Sequence, residues 1–391
     1  MNPAPRPRRT SVGSPRLDVD ALLADRGTRI IVCCGAGGVG KTTTAAALGL
    51  RAAEQGRSVV VLTIDPARRL AQSMGLEQLD NTPRMVKGVK VGKGGRLDAM
   101  MLDMKRTFDE IVEAHSTPDK AQQILANPFY QALSSSFAGT QEYMAMEKLG
   151  QLRAQADRDG TWDLVVVDTP PSRSALDFLD APARLGSFLD GRFIKLLVAP
   201  AKIGGRAYLK VFATGVNAVT GTLTKVIGAQ VLSDISTFVA ALDTMFGGFR
   251  ERADLTYRLL QQQGTSFIVV AAPESDALRE ASYFVDRLAN ERMPLSGLVL
   301  NRVHDVGPGT LSAERSIAAA ETLAERKAHP LTAQLLRLHA ELAHVATREQ
   351  AVTRQFTGAH PEVPVTRVPA MAQDVHDLDG LRQVGHDLAA R

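Results

Sequence analysis

The sequence predicts an α/β fold in which a doubly wound, mostly parallel sheet carries an inserted all-helical subdomain. Short apolar runs typical of strands alternate with longer runs of helical character. Most of the apolar runs are continuous, as expected for strands that are buried on both faces. Two long segments, 104–160 and 183–262, break the alternation because both are helical in pattern and contain no strand. These segments predict the inserted helices.

Seven apolar runs predict the strands of the sheet. In chain order they are TRIIVCC from Thr28, SVVVLTID from Ser58, LDAMMLD from Leu97, DLVVVDT from Asp163, SFIVVAA from Ser266, LSGLVLNRV from Leu295 and VPVTRV from Val363. A helix, KTTTAAALGLRAAEQG, follows the first strand and ends at Gly56, the residue type that commonly follows a helix. Residues 310–356 and 374–390 predict the helices on either side of the last strand.

The predicted domain organisation has three parts. Residues 1–27 form a disordered basic tail and lead-in, rich in Pro and Arg and without the apolar stretch of a secretory signal. The sheet core comprises 28–103, 161–182 and 263–391, and the helical subdomain comprises 104–160 and 183–262.

Composition narrows the class of protein. Hydrophobic residues make up 45% and charged residues 23% of the 391 residues, which is typical of a globular protein. The net charge of +4 is spread among interleaved acids and bases, so no nucleic-acid partner is expected. No apolar run predicts a membrane-spanning helix. We expect a cytoplasmic protein, with peripheral contact with a membrane left open.

Both cysteines, Cys33 and Cys34, are adjacent in the first predicted strand. Neighbouring strand residues point to opposite faces, so a disulfide between them is not expected. The sequence contains no CxxC motif and no His/Cys cluster with zinc spacing, so no zinc site is expected. A protein without an expected disulfide is typical of a reducing compartment.

The second helical segment has an unusual charge pattern. Between Arg192 and Ser233 it contains no Asp or Glu but several basic residues among Gly, Ala and apolar side chains. Two interpretations remain open. The segment is either a helical hairpin packed within its own subdomain, or a surface for an apolar client protein or an anionic membrane.

A glycine-rich stretch between the first strand and the first helix matches G-x-x-x-x-G-K-[ST] at every fixed position. The nucleotide-binding residues predicted here are Gly35, Ala36, Gly37, Gly38, Val39, Gly40, Lys41, Thr42 and Thr43. Glycines allow the backbone to approach phosphate oxygens closely, and the helix N-terminus attracts the anion. Lys41 places a cation on the outer phosphates, and the Thr42 hydroxyl can ligate Mg²⁺. The stretch therefore predicts a P-loop NTPase that binds ATP or ADP with magnesium.

Two further strands end in a carboxylate. Asp65 ends the second predicted strand and Asp168 ends the fourth. An apolar strand that ends in Asp is typical of a Walker B element, so Asp168 is the predicted second magnesium ligand beside Thr42. Asp65 is the predicted catalytic residue beside Lys41, because it can orient or deprotonate the attacking water. The alternative for each Asp is a turn or helix-capping role beside proline.

Together, GAGGVGKTT, TIDPARRL and VVVDTPPSRSALDFL resemble the arsenite-pump and guided-entry family of anion-transporting ATPases, which carry a deviant Walker A loop. The resemblance extends from about Gly27 to the C-terminus. It implies that Glu280, in APESDALREASYFVDRL, belongs to the nucleotide site and that Asn301, in LVLNRV, contacts adenine. It also implies that the loop VPAMAQDVHDL covers the adenine with Pro369, Ala370 and Met371.

This sequence departs from the family pattern in informative places. The family's signature lysine, which reaches across a dimer to the partner's phosphates, is Ala36 here, and the switch histidines are Arg68 and Ser174. The zinc-binding CxxC motif is absent from the sequence, which disfavours a zinc-bridged dimer. The resemblance thus implies a branch of the family that lacks the signature lysine.

These observations predict a Mg-ATP-dependent ATPase that acts as a nucleotide-driven switch and handles an apolar protein or membrane partner. Because a cation supplied in trans contributes about 10³–10⁵ in rate in related enzymes, we expect slow or partner-dependent hydrolysis. The expected assembly is a homodimer or a heterodimer with a paralogue of the same family. Two alternatives stay open: a partition or positioning ATPase, and a nucleotide-binding regulatory subunit with little turnover of its own.

Overall fold

A central sheet organises the computed structural model, which describes residues 14–64, 69–76, 79–91, 94–127, 130–131, 134, 140–170, 251–307 and 311–390. The strands are β1 (Ile30–Cys34), β2 (Ser58–Thr63), β3 (Arg84–Met85), β4 (Arg96–Met101), β5 (Leu164–Asp168), β6 (Thr265–Ala271), β7 (Leu295–Val303) and β8 (Val365–Pro369). Their order across the sheet is β3-β4-β2-β5-β1-β6-β7-β8. Every neighbouring pair is parallel except β3 and β4.

Helices cover the sheet. They are α1 (Val19–Ala24), α2 (Lys41–Glu54), α3 (Arg69–Ser73), α4 (Met104–His115), α5 (Pro118–Leu125), α6 (Thr140–Asp159), α7 (Ser275–Asn290), α8 (Ala313–Glu325), α9 (Pro330–Ala359) and α10 (Leu378–Ala389). Residues 251–261 are also helical. The predicted α/β fold is therefore confirmed.

The alternation of β1 explains the two layers. Ile30, Val32 and Cys34 pack in one buried cluster with side chains of α4, α6 and α7. Ile31 and Cys33 pack in the other with side chains of α1, α2 and α10. Burial on both sides is what makes the strand sequence continuously apolar.

All seven predicted strands are present, with ends that differ by a few residues from the prediction. Three elements were not predicted: β3, α1 and the five-residue helix α3. Strand β3 has only two residues, both exposed, and carries no hydrophobic period. Helix α1 lies in the lead-in, where Asp18 accepts a hydrogen bond from the Ala21 amide and caps it, while Val19 and Leu23 are buried.

The helical stretch predicted over 310–356 forms two helices. Lys327 and His329 adopt left-handed backbone conformations with φ of 47° and 50°. Pro330 then occupies the first turn of α9, a position that suits its missing N–H. These three residues end α8 and restart the chain as α9.

Residues 104–159 contain α4, α5 and α6, with no strand in their described part. Residues 171–250 lie outside the described residues, so most of the second predicted helical segment cannot be compared with the prediction. The division into a core and a helical subdomain stays a prediction. Within the described part of the chain, none of the helices combines the length and the apolar character needed to cross a bilayer.

A buried arginine ties the start of β2 to the lead-in. Arg57 is 1% exposed, and its guanidinium donates to the Asp163 carboxylate at 2.7 Å. It also donates to the carbonyl oxygens of Leu23, Asp25, Thr28 and Asp163, at 2.7–3.2 Å. One side chain thereby satisfies backbone acceptors from α1, the approach to β1 and the approach to β5.

We expect Arg57→Met to lower the free energy of unfolding by at least about 2 kcal/mol, because several carbonyls lose their donor and the Asp163 carboxylate keeps only Arg26 as a charged partner. Urea denaturation followed by circular dichroism measures the change. The matched control is Arg84→Met, since Arg84 pairs with Asp80 at the surface and should leave stability nearly unchanged. Equal stability of the two variants would contradict the bridging role of Arg57.

Candidate nucleotide site

The glycine-rich loop joins the end of β1 to the start of α2 and depends on three left-handed glycines. Gly35, Gly38 and Gly40 have φ of 149°, 76° and 94°. A Cβ on Gly35 would lie 2.1 Å from the Val270 carbonyl oxygen, and one on Gly40 would lie 2.2 Å from Asn301 Nδ2. No atom of the described residues lies within 4 Å of a Cβ built on Gly38. The first and last glycines thus permit close packing, and Gly38 leaves open space above the loop.

Lys41, the first residue of α2, folds back over this loop. Its Nζ donates to the Ala36 carbonyl oxygen at 2.7 Å, and the side chain is 5% exposed. Ala36 is also buried, at 8% exposed, and its methyl group packs in the apolar layer beneath the loop. The loop therefore contacts the Lys41 ammonium through the Ala36 carbonyl. The buried Ala36 methyl group is too short to reach another molecule.

Asp168 brings two threonines together at the carboxyl edge of the sheet. Its Oδ2 accepts hydrogen bonds from Thr42 Oγ1 at 2.7 Å and from Thr63 Oγ1 at 2.8 Å. The parallel register explains the meeting, because Asp168 lies beside Cys33 of β1 and Thr63 of β2. The fully buried carboxylate thus joins β5, β2 and the first turn of α2.

A cavity of about 600 Å³ extends from the loop over the ends of β7 and β8. Cavities of this size are typical of small-molecule sites. Gly40, Thr42 and Thr43 line it from the loop side, and Asn301 lines it from β7. Pro369, Ala370 and Met371 line it from the end of β8 and the loop that follows.

Asn301 links that cavity to the loop. Its Nδ2 donates to the Val39 carbonyl oxygen at 2.8 Å. The same amide lies against Gly40, where a side chain would collide with it. The proposed adenine contact of Asn301 stays a prediction, and the structure adds a second role in holding the loop.

The remaining predicted residues are not among the described residues that line the cavity. Glu280 lies half-buried on α7. Asp65, Arg68 and Ser174 lie outside the described residues, so their predicted roles stay untested. Gly37 is exposed at the top of the loop.

Sequence reasoning missed Thr63, Arg302 and His304 at this site. Thr63 stands two residues before Asp65 in an apolar strand, and only strand pairing shows that it faces Asp168. Arg302 and His304 line the cavity beside Asn301. They follow the strand that carries Asn301, but no motif marks them.

The residues present fit a magnesium-bound nucleotide. Thr42 and Asp168 offer hydroxyl and carboxylate oxygens, the hard ligands that Mg²⁺ prefers. Among the described residues, no group of three or more His, Cys, Asp and Glu side chains could form a metal cage. Magnesium sites that share their ion with phosphates need only one or two protein carboxylates, so this donor set is sufficient.

The cysteines beside the loop do not offer thiolates. Burial raises the pKa of the Cys34 thiol to about 12. Burial, with a smaller effect of the Asp168 charge, raises the pKa of Cys33 well above its usual value. Both are free thiols, and they lie in the two opposite apolar layers, as the strand alternation predicts.

Comparison with known proteins agrees with this geometry. The family model described as "Anion-transporting ATPase" matches residues 28–307. The chain is 27% identical to an "ATPase ASNA1 homolog" of Cryptosporidium parvum over 269 residues, 69% of this chain and 63% of that protein. It is 24% identical to an "ATPase GET3" of Podospora anserina over 294 residues, 75% of this chain and 78% of that protein. It is 25% identical to an "ATPase GET3" of Malassezia globosa over 292 residues, 74% of this chain and 77% of that protein.

The matched region begins in the lead-in to β1 and contains the loop, Asp168 and Asn301. The chain therefore belongs to the anion-transporting ATPase family, a family of ATP-hydrolysing enzymes.

Proposed function

We propose that this protein binds Mg-ATP at the carboxyl edge of its sheet, hydrolyses it slowly when alone, and uses the nucleotide as a switch. The observation that carries the proposal is the contact of Thr42 with Asp168 at the base of the glycine-rich loop, beside the cavity. Hydroxyl, carboxylate and loop meet there through the register of β1, β2 and β5. Family membership supports ATP as the nucleotide.

The loop and Lys41 carry the phosphate-binding part of the proposal. Backbone N–H groups at the N-terminus of α2 present partial positive charge to an anion. The Lys41 ammonium, which donates to Ala36 within the loop, exchanges that carbonyl for the outer phosphate oxygens. The Lys41 ammonium therefore already lies beside the proposed phosphate site. Only the Lys41 side chain has to move for it to contact the phosphates.

Thr42 and Asp168 are the proposed magnesium ligands. Magnesium, when bound, would neutralise charge that develops on the phosphates. Thr63 donates to the same oxygen of Asp168 as Thr42 does, which fixes the orientation of the carboxylate. Thr63 is therefore a positioning residue for Asp168.

The family resemblance supports a switch that acts on a partner. Nucleotide would control the two switch segments whose sequences are TIDPARRL and VVVDTPPSRSALDFL. A mostly apolar hollow lies between α4 and α5 in the helical part; Pro118, Ala121, Leu125 and Ala126 line it together with the polar Glu113 and Gln122. This hollow supports an apolar protein or membrane partner as the molecule that the switch handles.

Lys41→Ala tests nucleotide binding. We expect it to weaken Mg-ATP binding at least about tenfold, because the phosphates lose their nearest side-chain cation. Isothermal titration calorimetry measures the affinity. Lys105→Ala is the matched control, since Lys105 lies on α4 and pairs with Asp109 away from the site. Equal affinities in the two variants would refute the assigned phosphate site.

Asp65→Asn separates binding from turnover. If Asp65 activates the attacking water, the variant keeps its Mg-ATP affinity and loses about 10²–10⁴ in hydrolysis rate. A single-turnover assay with saturating enzyme gives the rate, and calorimetry gives the affinity. Loss of affinity instead of rate would assign Asp65 to nucleotide or metal binding.

Ala36 predicts dependence on a partner. The purified chain should hydrolyse Mg-ATP slowly, and a paralogue that supplies a cation should raise the rate by up to about 10³–10⁵. Phosphate release, measured with and without the proteins that copurify with the native chain, shows the difference. Fast hydrolysis by the isolated chain that Lys41→Ala abolishes would show that no partner is needed.

A further inference from the structure

An irregular turn at the end of β7 places three neighbouring side chains around one cavity. In a regular strand Asn301 and Arg302 would point to opposite faces. The pairing of β7 with β8 shifts between Leu300 and Val303, and Arg302 within that shift has a left-handed φ of 61°. As a result Asn301, Arg302 and His304 all line the nucleotide cavity.

The backbone at Arg302 is strained for any residue with a side chain. Glycine adopts a positive φ without steric conflict, whereas other residues hold it only where the surrounding structure imposes it. Strain of this kind is concentrated at binding and catalytic sites. Arg292, Lys327 and His329 have a similar φ at turns, so the backbone conformation alone assigns no role. Arg302 differs from them because it lies on a cavity wall, where its side chain can have a task.

The surroundings of Arg302 identify that task. It is the only Arg or Lys among the described residues that line the cavity, and it is exposed. In the described structure its guanidinium makes neither an ion pair nor a hydrogen bond with the protein. It is thus a cation on the cavity wall that is available to a ligand.

Arg302 belongs to the wall beyond the phosphate loop. Asn301 already contacts the loop through the Val39 carbonyl. On the other side, the Ala370 amide donates to the Val303 carbonyl at 2.9 Å, and Val303 pairs with Pro369. The backbone of Arg302 therefore lies between the loop, which lines one side of the cavity, and Pro369 and Ala370, which line it from the end of β8.

We propose that Arg302 binds the nucleoside end of a purine nucleotide, with its planar guanidinium lying against the base. The attraction between a guanidinium and the face of an aromatic ring is the chemistry involved. The proposal rests on the proposed nucleotide-binding function. It makes Arg302 a specificity residue that distinguishes a nucleotide from a bare polyphosphate.

The test uses Arg302→Gly in the full chain, because glycine keeps the left-handed backbone and removes only the side chain. Arg292→Gly is the matched control: Arg292 has φ of 56° and lies between α7 and β7, before the start of the strand. The probes are Mg-ATP and magnesium tripolyphosphate, which lacks a nucleoside. Calorimetry gives both affinities, and thermal unfolding checks that each variant folds.

We expect Arg302→Gly to weaken Mg-ATP binding by about tenfold and to leave tripolyphosphate binding unchanged. Arg292→Gly should bind both probes as the wild-type chain does. Arg302→Lys should not restore full ATP affinity, because an ammonium group cannot lie flat against a base.

Unchanged ATP binding by Arg302→Gly, in a wild-type chain that binds Mg-ATP, overturns this inference and leaves the proposed function intact. An equal loss for both probes also overturns it, since Arg302 would then contact phosphates. If the wild-type chain binds neither probe, the proposed function fails and this inference fails with it.

Discussion

The position of β1 in the middle of the sheet is the constraint on which the site depends. Parallel pairing with β5 on one side and β6 on the other fixes both registers, with Cys33 beside Asp168 and Cys34 beside Val269. The chain must then leave the sheet at Gly35 in the narrow space beside Val270, which only a glycine can do. Because the register of β1 is fixed on both sides, its carboxyl end brings together the loop, the Asp168 carboxylate and the start of α2.

The sequence was sufficient for those features that local pattern specifies. Continuous apolar runs gave the strands, and the strand–loop–helix context gave the phosphate loop, because each depends on residues close in the chain. Features that depend on pairing were not predictable. Thr63 reaches Asp168 only through the register of β2 and β5, and the left-handed turn at Arg302 has no glycine to announce it. Short elements such as β3 lack enough residues to show a period.

The site combines residues whose structural and chemical roles coincide. Asp168 holds β2 and α2 together through its threonine partners, so the proposed metal ligand also maintains the sheet edge. Asn301 holds the loop while lining the cavity. A substitution at Asp168 or Asn301 therefore changes the geometry of the site and its chemistry together. A matched control variant is needed to separate the two effects.

The two thiols on opposite faces of β1 have a practical consequence. Cys33 and Cys34 are the only cysteines of the sequence, both are buried, and burial raises both thiol pKa values. In the folded protein neither thiol is therefore expected to react with maleimide or iodoacetamide reagents. A single cysteine introduced at an exposed position, such as Leu331 at the start of α9, would accept a fluorophore or spin label while the native pair stays in place. Distances from such a label can then be measured without replacing Cys33 and Cys34 in β1.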